Sequence, residues 1–132
     1  MIARAEEGVY SHFEVQRGLA IRRLVAHFTQ EDGNWRIREN LRRMVSFRSF
    51  NLLDSFGWLD DLDVVFCRNV LLYFDQKTKA SVLEKIADTL VPDGALVLGH
   101  TETPQGAFIP LDGAPNIYKR AKASVQRFAA AG

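Results

Sequence analysis

The feature that most restricts the fold is a repeated apolar pattern in the second half of the chain. Asp63-Val-Val-Phe-Cys67 and Ala95-Leu-Val-Leu-Gly99 are short continuous apolar runs, the pattern of strands covered on both faces. Between them, residues 76–91 carry a helical pattern whose buried stripe is Leu83, Ile86, Ala87 and Leu90. Asp75 is placed to cap its start and Pro92-Asp-Gly94 to end it. Strand, helix and strand within about 37 residues form a βαβ unit with parallel strands. Two further strand candidates, Ala107–Pro110 and Asn116–Arg120, flank an Asp112-Gly113 turn and predict an antiparallel hairpin that closes the sheet.

The first half is more broken. Residues 1–8 read as the end of a helix stopped by Gly8, and residues 13–28 as a helix with Ile21, Leu24, Val25 and Phe28 on one side. Gln30-Glu-Asp-Gly33 is a turn. Trp35 and Ile37 alternate with Arg36 and Arg38, which predicts a short half-buried strand. Val45 and Phe47 alternate with Ser46 and Arg48, which predicts a second strand over 45–52. The Ala-rich tail from 121 reads as a frayed helix or a disordered end.

Composition bounds the function. A chain of 132 residues that is 47% hydrophobic and 25% charged can bury one modest core and is not disordered throughout. Seventeen Lys+Arg against sixteen Asp+Glu leave +1, so no strong overall field calls for nucleic acid or an anionic membrane. The longest apolar stretch, Val70 to Phe74, is far below the roughly 20 residues that span a bilayer, so no membrane insertion is expected. The single cysteine, Cys67, excludes an internal disulfide framework and a multi-Cys zinc site and fits a reducing cytoplasm. His12, His27 and His100 are scattered, so no metal is expected. No two glycines stand two residues apart, which removes the dinucleotide fingerprint. His100-x-Glu102 lacks the Pro-Cys-x-x-Cys that a zinc deaminase requires.

In open α/β sheets, ligands bind beyond the carboxyl ends of the parallel strands. That rule selects two loops, Arg68–Asp75 after the first apolar run and His100-Thr101-Glu102 after the second. From residue type alone, Arg68 and Asn69 are equally loop caps or functional groups. Tyr73 is a core aromatic with a wet hydroxyl, and Asn51 a turn residue. His100 and Glu102 are structural groups bonding the loop backbone. Cys67 is a small buried hydrophobe rather than a nucleophile. Arg17, Arg22, Arg23, Arg36, Arg38, Arg42, Arg43 and Arg48 load the first half with positive charge, which is either a solvated face or a docking surface for an acidic partner.

Phe66-Cys-Arg-Asn-Val-Leu-Leu-Tyr-Phe-Asp75, Pro92-Asp-Gly94 and Gly99-His-Thr-Glu102 resemble the second half of the chemotaxis methyltransferases of the CheR type. Gly8-Val-Tyr-Ser, Phe13-Glu-Val-Gln-Arg-Gly-Leu19 and Phe50-Asn-Leu-Leu-Asp54 resemble the same family in the same order, so the likeness runs from near residue 1 to about 120. It implies an α/β chain with a partial Rossmann-like methyltransferase sheet, a small antiparallel β-subdomain and a C-terminal antiparallel hairpin. The implied divisions are a helical segment at 1–28, the β-subdomain at 29–48, the second half of the S-adenosylmethionine-binding domain at 49–120 and a tail at 121–132. The implied activity is transfer of a methyl group from S-adenosylmethionine to glutamate side chains of chemoreceptors, with S-adenosylhomocysteine as product and the receptors' cytoplasmic helices as protein substrate. Asn51 and Leu52 would line the adenine pocket, Arg68 and Asn69 would contact the cofactor, and Tyr73 would act at the transferred methyl.

The family's sheet order, 3-2-1-4-5-7-6, sets residues 45–52 as strand 3, 63–67 as strand 4, 95–99 as strand 5 and the hairpin as strands 6 and 7. Strands 1 and 2 and the Gly-rich cofactor loop have no counterpart here. Weak or absent cofactor binding and an inactive isolated chain are therefore expected. The exposed edge at Val64–Cys67 points to a homo-oligomer or an element-swapped dimer. The loop Thr29–Trp35 is short and lacks the Gly-x-Gly insertion of receptor-tethering members. A non-catalytic interaction module derived from the methyltransferase is the alternative, and the expected location is the cytoplasm.

Overall fold

The computed structural model describes residues 1–104 and 106–121, and the chain divides into two compact units, residues 1–50 and 51–132. The tail expectation falls, from residue 122 on, outside the described residues.

In the first unit, α1 (Ile2–Glu7) stops at Gly8, whose φ of 63° and ψ of 32° are left-handed and cost glycine nothing. β1 (Val9–Tyr10) follows. α2 (His12–Gln16) opens on a capping box: Glu14 N–H donates to Ser11 Oγ at 3.3 Å and Ser11 N–H to Glu14 Oε2 at 2.8 Å. α3 (Ile21–His27) is separate. The helix expected over 13–28 is thus broken, and Gly18 at φ 107° lies in the break, outside the helical region. Of the expected stripe only Leu24 is buried, while Ile21 and Val25 face solvent.

Phe28 leaves the helix to begin β2 (Phe28–Glu31), which pairs antiparallel with β3 (Asn34–Ile37). Asp32 and Gly33, at φ 46° and 78°, form the two-residue turn between them. Positive φ at both central residues is the turn whose twist matches a hairpin. β1 takes the other edge of β3, giving the order β1-β3-β2. Tyr10 and Phe28 meet edge-to-face across it, ring centroids 6.1 Å apart.

The strand expected at 45–52 does not form. After α4 (Glu39–Arg42) the chain makes turns from Met44 N–H to Leu41 and from Val45 N–H to Arg42, then runs irregularly to Phe50. In the implied order this strand pairs with strand 2, and the two sheets of the described residues, β1-β3-β2 and β4-β5-β7-β6, hold no such neighbour, so its backbone groups find no ladder.

The second unit is a four-stranded sheet with one helix. β4 (Leu62–Cys67) runs parallel to β5 (Leu90–Leu98), joined by α5 (Gln76–Thr89). β6 (Phe108–Pro110) and β7 (Ile117–Arg120) are the hairpin, and β7 pairs antiparallel with β5. The order β4-β5-β7-β6 is the 4-5-7-6 half of the order that the resemblance implies. Asp75 caps α5, its side chain accepting from Thr78 N–H at 2.8 Å. The helix ends at Thr89, and Pro92-Asp-Gly94 lies inside β5 as an irregularity, where the register jumps from Leu62↔Leu90 to Val64↔Ala95. A Cβ on Gly94 would come within 3.1 Å of the Leu62 carbonyl oxygen, so a side chain there would strain the irregularity.

The expected helix stripe is buried: Leu83, Ile86, Ala87 and Leu90 join Val82 against Cys67, Leu96, Leu98, Phe108 and Tyr118. Among the described residues β4 is covered on one face, not both. Val64 and Phe66 are 48% and 73% exposed, on the face shared with Ala95, Val97 and Ile117. The continuous apolar run therefore marks two apolar faces, of which α5 covers one.

Leu96 is fully buried at the centre of the covered face. Leu96→Ala is expected to destabilise the second unit by about 3 kcal/mol, read as a lower midpoint in urea with an unchanged slope.

Candidate functional site

Parallel strands put the ends of β4 and β5 on the same side of the sheet. From the end of β4 the chain passes through Arg68 and Asn69, makes a 3-10 turn at Leu71–Tyr73 and enters α5. Leu71 is buried at 2% and anchors this loop to the core, and Phe74 packs against the same cluster. The residues beside these anchors face outward: Arg68 and Asn69, before Leu71, are exposed, and Tyr73, between Leu71 and Phe74, is 85% exposed. Asn69 adopts φ 58°, a left-handed conformation that asparagine tolerates better than most residues.

From the end of β5, Gly99 leads to His100, Thr101 and Glu102. Glu102 is 5% exposed, yet its carboxylate has four partners. Oε2 accepts from the N–H groups of Asn69 and Gly99, each at 2.7 Å. Oε1 accepts from Val70 at 3.0 Å and Leu71 at 2.8 Å. Burial by itself would raise the Glu102 carboxyl, but these backbone donors outweigh it and hold the group below its ordinary value of 4.5. His100 Nδ1 lies 3.0 Å from the side-chain amide of Asn116.

Cys67, at the end of β4, is pushed up to about 11 by burial and by the nearby Glu102 charge, so it is no nucleophile at neutral pH.

The other expected site residues form a separate turn. Asn51 Oδ1 accepts from Leu53 N–H at 3.0 Å, a side-chain turn of the kind that asparagine favours. Lys85, projecting from α5, donates to the carbonyls of Leu53 at 2.6 Å and Asp54 at 2.9 Å and lies 5.6 Å from the centre of the Phe56 ring. The structure thus brings Arg68, Asn69 and Tyr73 together on one loop. It holds Asn51 and Leu52 on another segment, fastened to α5 by Lys85. Sequence reasoning did not single out Lys85, and nothing distinguishes it from the other lysines of that helix before the turn is seen. Gly99 was missed too, although a glycine directly after a buried strand and opposite a loop is a detectable sign of close approach.

Much of the positive charge of the first half is engaged internally. Arg36 pairs with Glu31, Arg42 and Arg43 pair with Glu39, and Arg38 donates to the Val25 carbonyl. Arg22 and Arg23 are exposed on α3.

The family model described as "CheR methyltransferase, SAM binding domain" matches residues 1–109. Chemotaxis protein methyltransferase Cher2 of Pseudomonas putida is 39% identical over 125 residues, which cover 94% of this chain and 43% of that protein. Chemotaxis protein methyltransferase of Vibrio parahaemolyticus is 38% identical over 107 residues, 80% of this chain and 39% of that protein. Chemotaxis protein methyltransferase 1 of Pseudomonas aeruginosa is 42% identical over 103 residues, 77% of this chain and 38% of that protein. The chain thus spans about two fifths of the length of these curated relatives.

The four bonds to Glu102 set an acid limit. Its carboxyl is depressed in the folded chain, so its contribution is complete above the ordinary carboxyl range and lost as pH falls through the folded value. Glu102→Ala is expected to cost about 3 kcal/mol near pH 7, because four backbone donors lose a charged acceptor. The gap between the two chains should narrow as pH falls below the ordinary carboxyl range, measured by urea denaturation at each pH.

Proposed function

The chain belongs to the CheR methyltransferase family, and on that footing we propose that it is the carboxyl-terminal part of an enzyme that methylates glutamate side chains in the cytoplasmic helices of chemoreceptors, using S-adenosylmethionine. The observation that supports this reading is the Arg68–Tyr73 loop at the carboxyl end of β4, tied by Glu102 to the end of β5.

The residues suit such a ligand. Arg68 offers a guanidinium that can pair with a carboxylate, the cofactor's or the substrate's. Asn69 beside it offers an amide. Tyr73 presents a ring face suited to a cationic centre and a hydroxyl suited to orienting a carboxylate. Asn51 and Leu52 would hold the adenine, with the turn set by Lys85. When bound, S-adenosylmethionine supplies a methyl on a sulfonium, already strongly electrophilic. The glutamate is ionised at neutral pH, so the protein needs no strong general base. Its task is to hold the two partners in line and keep competing water away.

Arg22 and Arg23, exposed on α3, suit an acidic helical substrate. Such a substrate places the enzyme in the cytoplasm, and among the described residues no helix is long and apolar enough to cross a membrane.

A second reading, an interaction module derived from the methyltransferase, is favoured by one observation. β4 is an edge strand with Val64 and Phe66 exposed, and a long apolar edge of this kind recruits another strand. In either reading the chain pairs or swaps elements through that edge. Light scattering at high protein concentration is expected to show a dimer or larger assembly, and a persistent monomer would refute the pairing.

On the reading that the 132-residue chain holds part of a pocket, weak or absent binding is expected. Titration with S-adenosylhomocysteine, followed by amide NMR, should shift Arg68 and Asn69. Arg68→Ala should weaken binding about tenfold, the value of one charge-assisted pair. Micromolar affinity would overturn the partial-pocket reading.

A further inference from the structure

We infer that Glu102 is the positioning residue of the site, its carboxylate fixing the backbone from Asn69 to Leu71 and through it the directions of Arg68 and Tyr73. The role rests on the cofactor reading of that loop, while the geometry stands by itself. β4 ends its ladder at Cys67. Beyond it, the N–H groups of Asn69, Val70 and Leu71 all turn to one side chain. That side chain starts 31 to 33 residues away, beyond the end of the neighbouring strand. The Gly99 N–H completes the set, and Glu102 N–H donates back to the Gly99 carbonyl at 3.1 Å. One carboxylate thus spans the two strand ends between which the loop emerges.

The arrangement requires a carboxylate in particular. Each oxygen receives two N–H donors, which an acceptor-only group can satisfy. Gln has the same shape but must turn its NH2 towards one of those pairs, donor against donor. Asp keeps the charge but is a methylene shorter. Gly99 belongs to the same device. A Cβ there would sit 2.7 Å from Glu102 Oε2 and collide with the Asn69 side-chain oxygen, so the absence of a side chain lets the loop close over the strand end. Asn69, held at φ 58°, is the residue at which the chain turns. A group that only supported the core would not gather three consecutive N–H groups of the loop that bears Arg68 and Tyr73.

The test uses the 132-residue chain and its Glu102→Gln and Glu102→Asp variants. Amide hydrogen exchange is expected to accelerate at least tenfold at Asn69, Val70 and Leu71 in Glu102→Gln, with Leu83 and Leu96 unchanged. Glu102→Asp should recover part of the protection. Titration with S-adenosylhomocysteine should show at least fivefold weaker binding for Glu102→Gln. Unchanged exchange at the three loop amides, or equal acceleration at Leu83 and Leu96, would overturn the positioning role. Equal affinity in the unsubstituted and Gln chains would overturn it while leaving the cofactor reading intact. No shift at Arg68 and Asn69 in the unsubstituted chain is the absent binding that a partial pocket allows, and the exchange rates at Asn69, Val70 and Leu71 then decide the positioning role by themselves. Should the Gln variant fail to fold, the unsubstituted chain decides. Free-loop exchange rates at Asn69, Val70 and Leu71 would rule out the clamp, and strong protection would support it.

Discussion

Two parallel strands cannot be joined by a tight turn, so the chain must leave the sheet, cross one face and return. In this protein that crossing is α5, and the second unit depends on the burial of its stripe. Val82, Leu83, Ile86 and Ala87 pack on Cys67, Leu96 and Leu98, which fixes β4 beside β5 and carries the hairpin with them. Because the crossing brings both strands back in the same direction, their carboxyl ends fall on one side. The loops Arg68–Asp75 and Gly99–Glu102 meet there. The site is a consequence of connectivity before it is a matter of particular side chains.

The parts legible in the sequence are those in which one physical cause dominates. The stripe at Leu83, Ile86, Ala87 and Leu90 and the Asp75 cap could be read locally, as could the Gly8 stop. All three are present. The backbone-bonding role read for Glu102 is present as well. The first half was harder. Ile21, Leu24, Val25 and Phe28 have helical spacing, yet Gly18 breaks the helix and Phe28 passes into a strand. The turn read at Gln30–Gly33 was the better guide: the chain does reverse there, though at Asp32 and Gly33 alone, with Gln30 and Glu31 belonging to β2. Val45 and Phe47 alternate as a strand should, but alternation reports amphipathicity and supplies no partner. The Lys85 contacts to the 53–54 carbonyls depend on which turn folds back on α5, and no local pattern encodes that.

The sheet's two faces differ in what they require. On the covered face, Leu96, Leu98 and Tyr118 tolerate little change in volume. On the other, Val64, Phe66 and Ile109 are open, and their apolar character finds no cover among the described residues of the second unit. A sheet with one satisfied and one unsatisfied face is stable as a core but sociable as a surface. That unites the two readings of the chain, since both give this face and its β4 edge something to pair with.

Cys67 offers an internal gauge of integrity. It is the only thiol in the chain, 7% exposed at the end of β4, and its proton is held more tightly than usual. An alkylating reagent can reach the thiolate only when the strand end opens away from α5 and Leu98. The rate of covalent labelling at this one sulfur therefore counts opening events of the βαβ unit, without any engineered reporter.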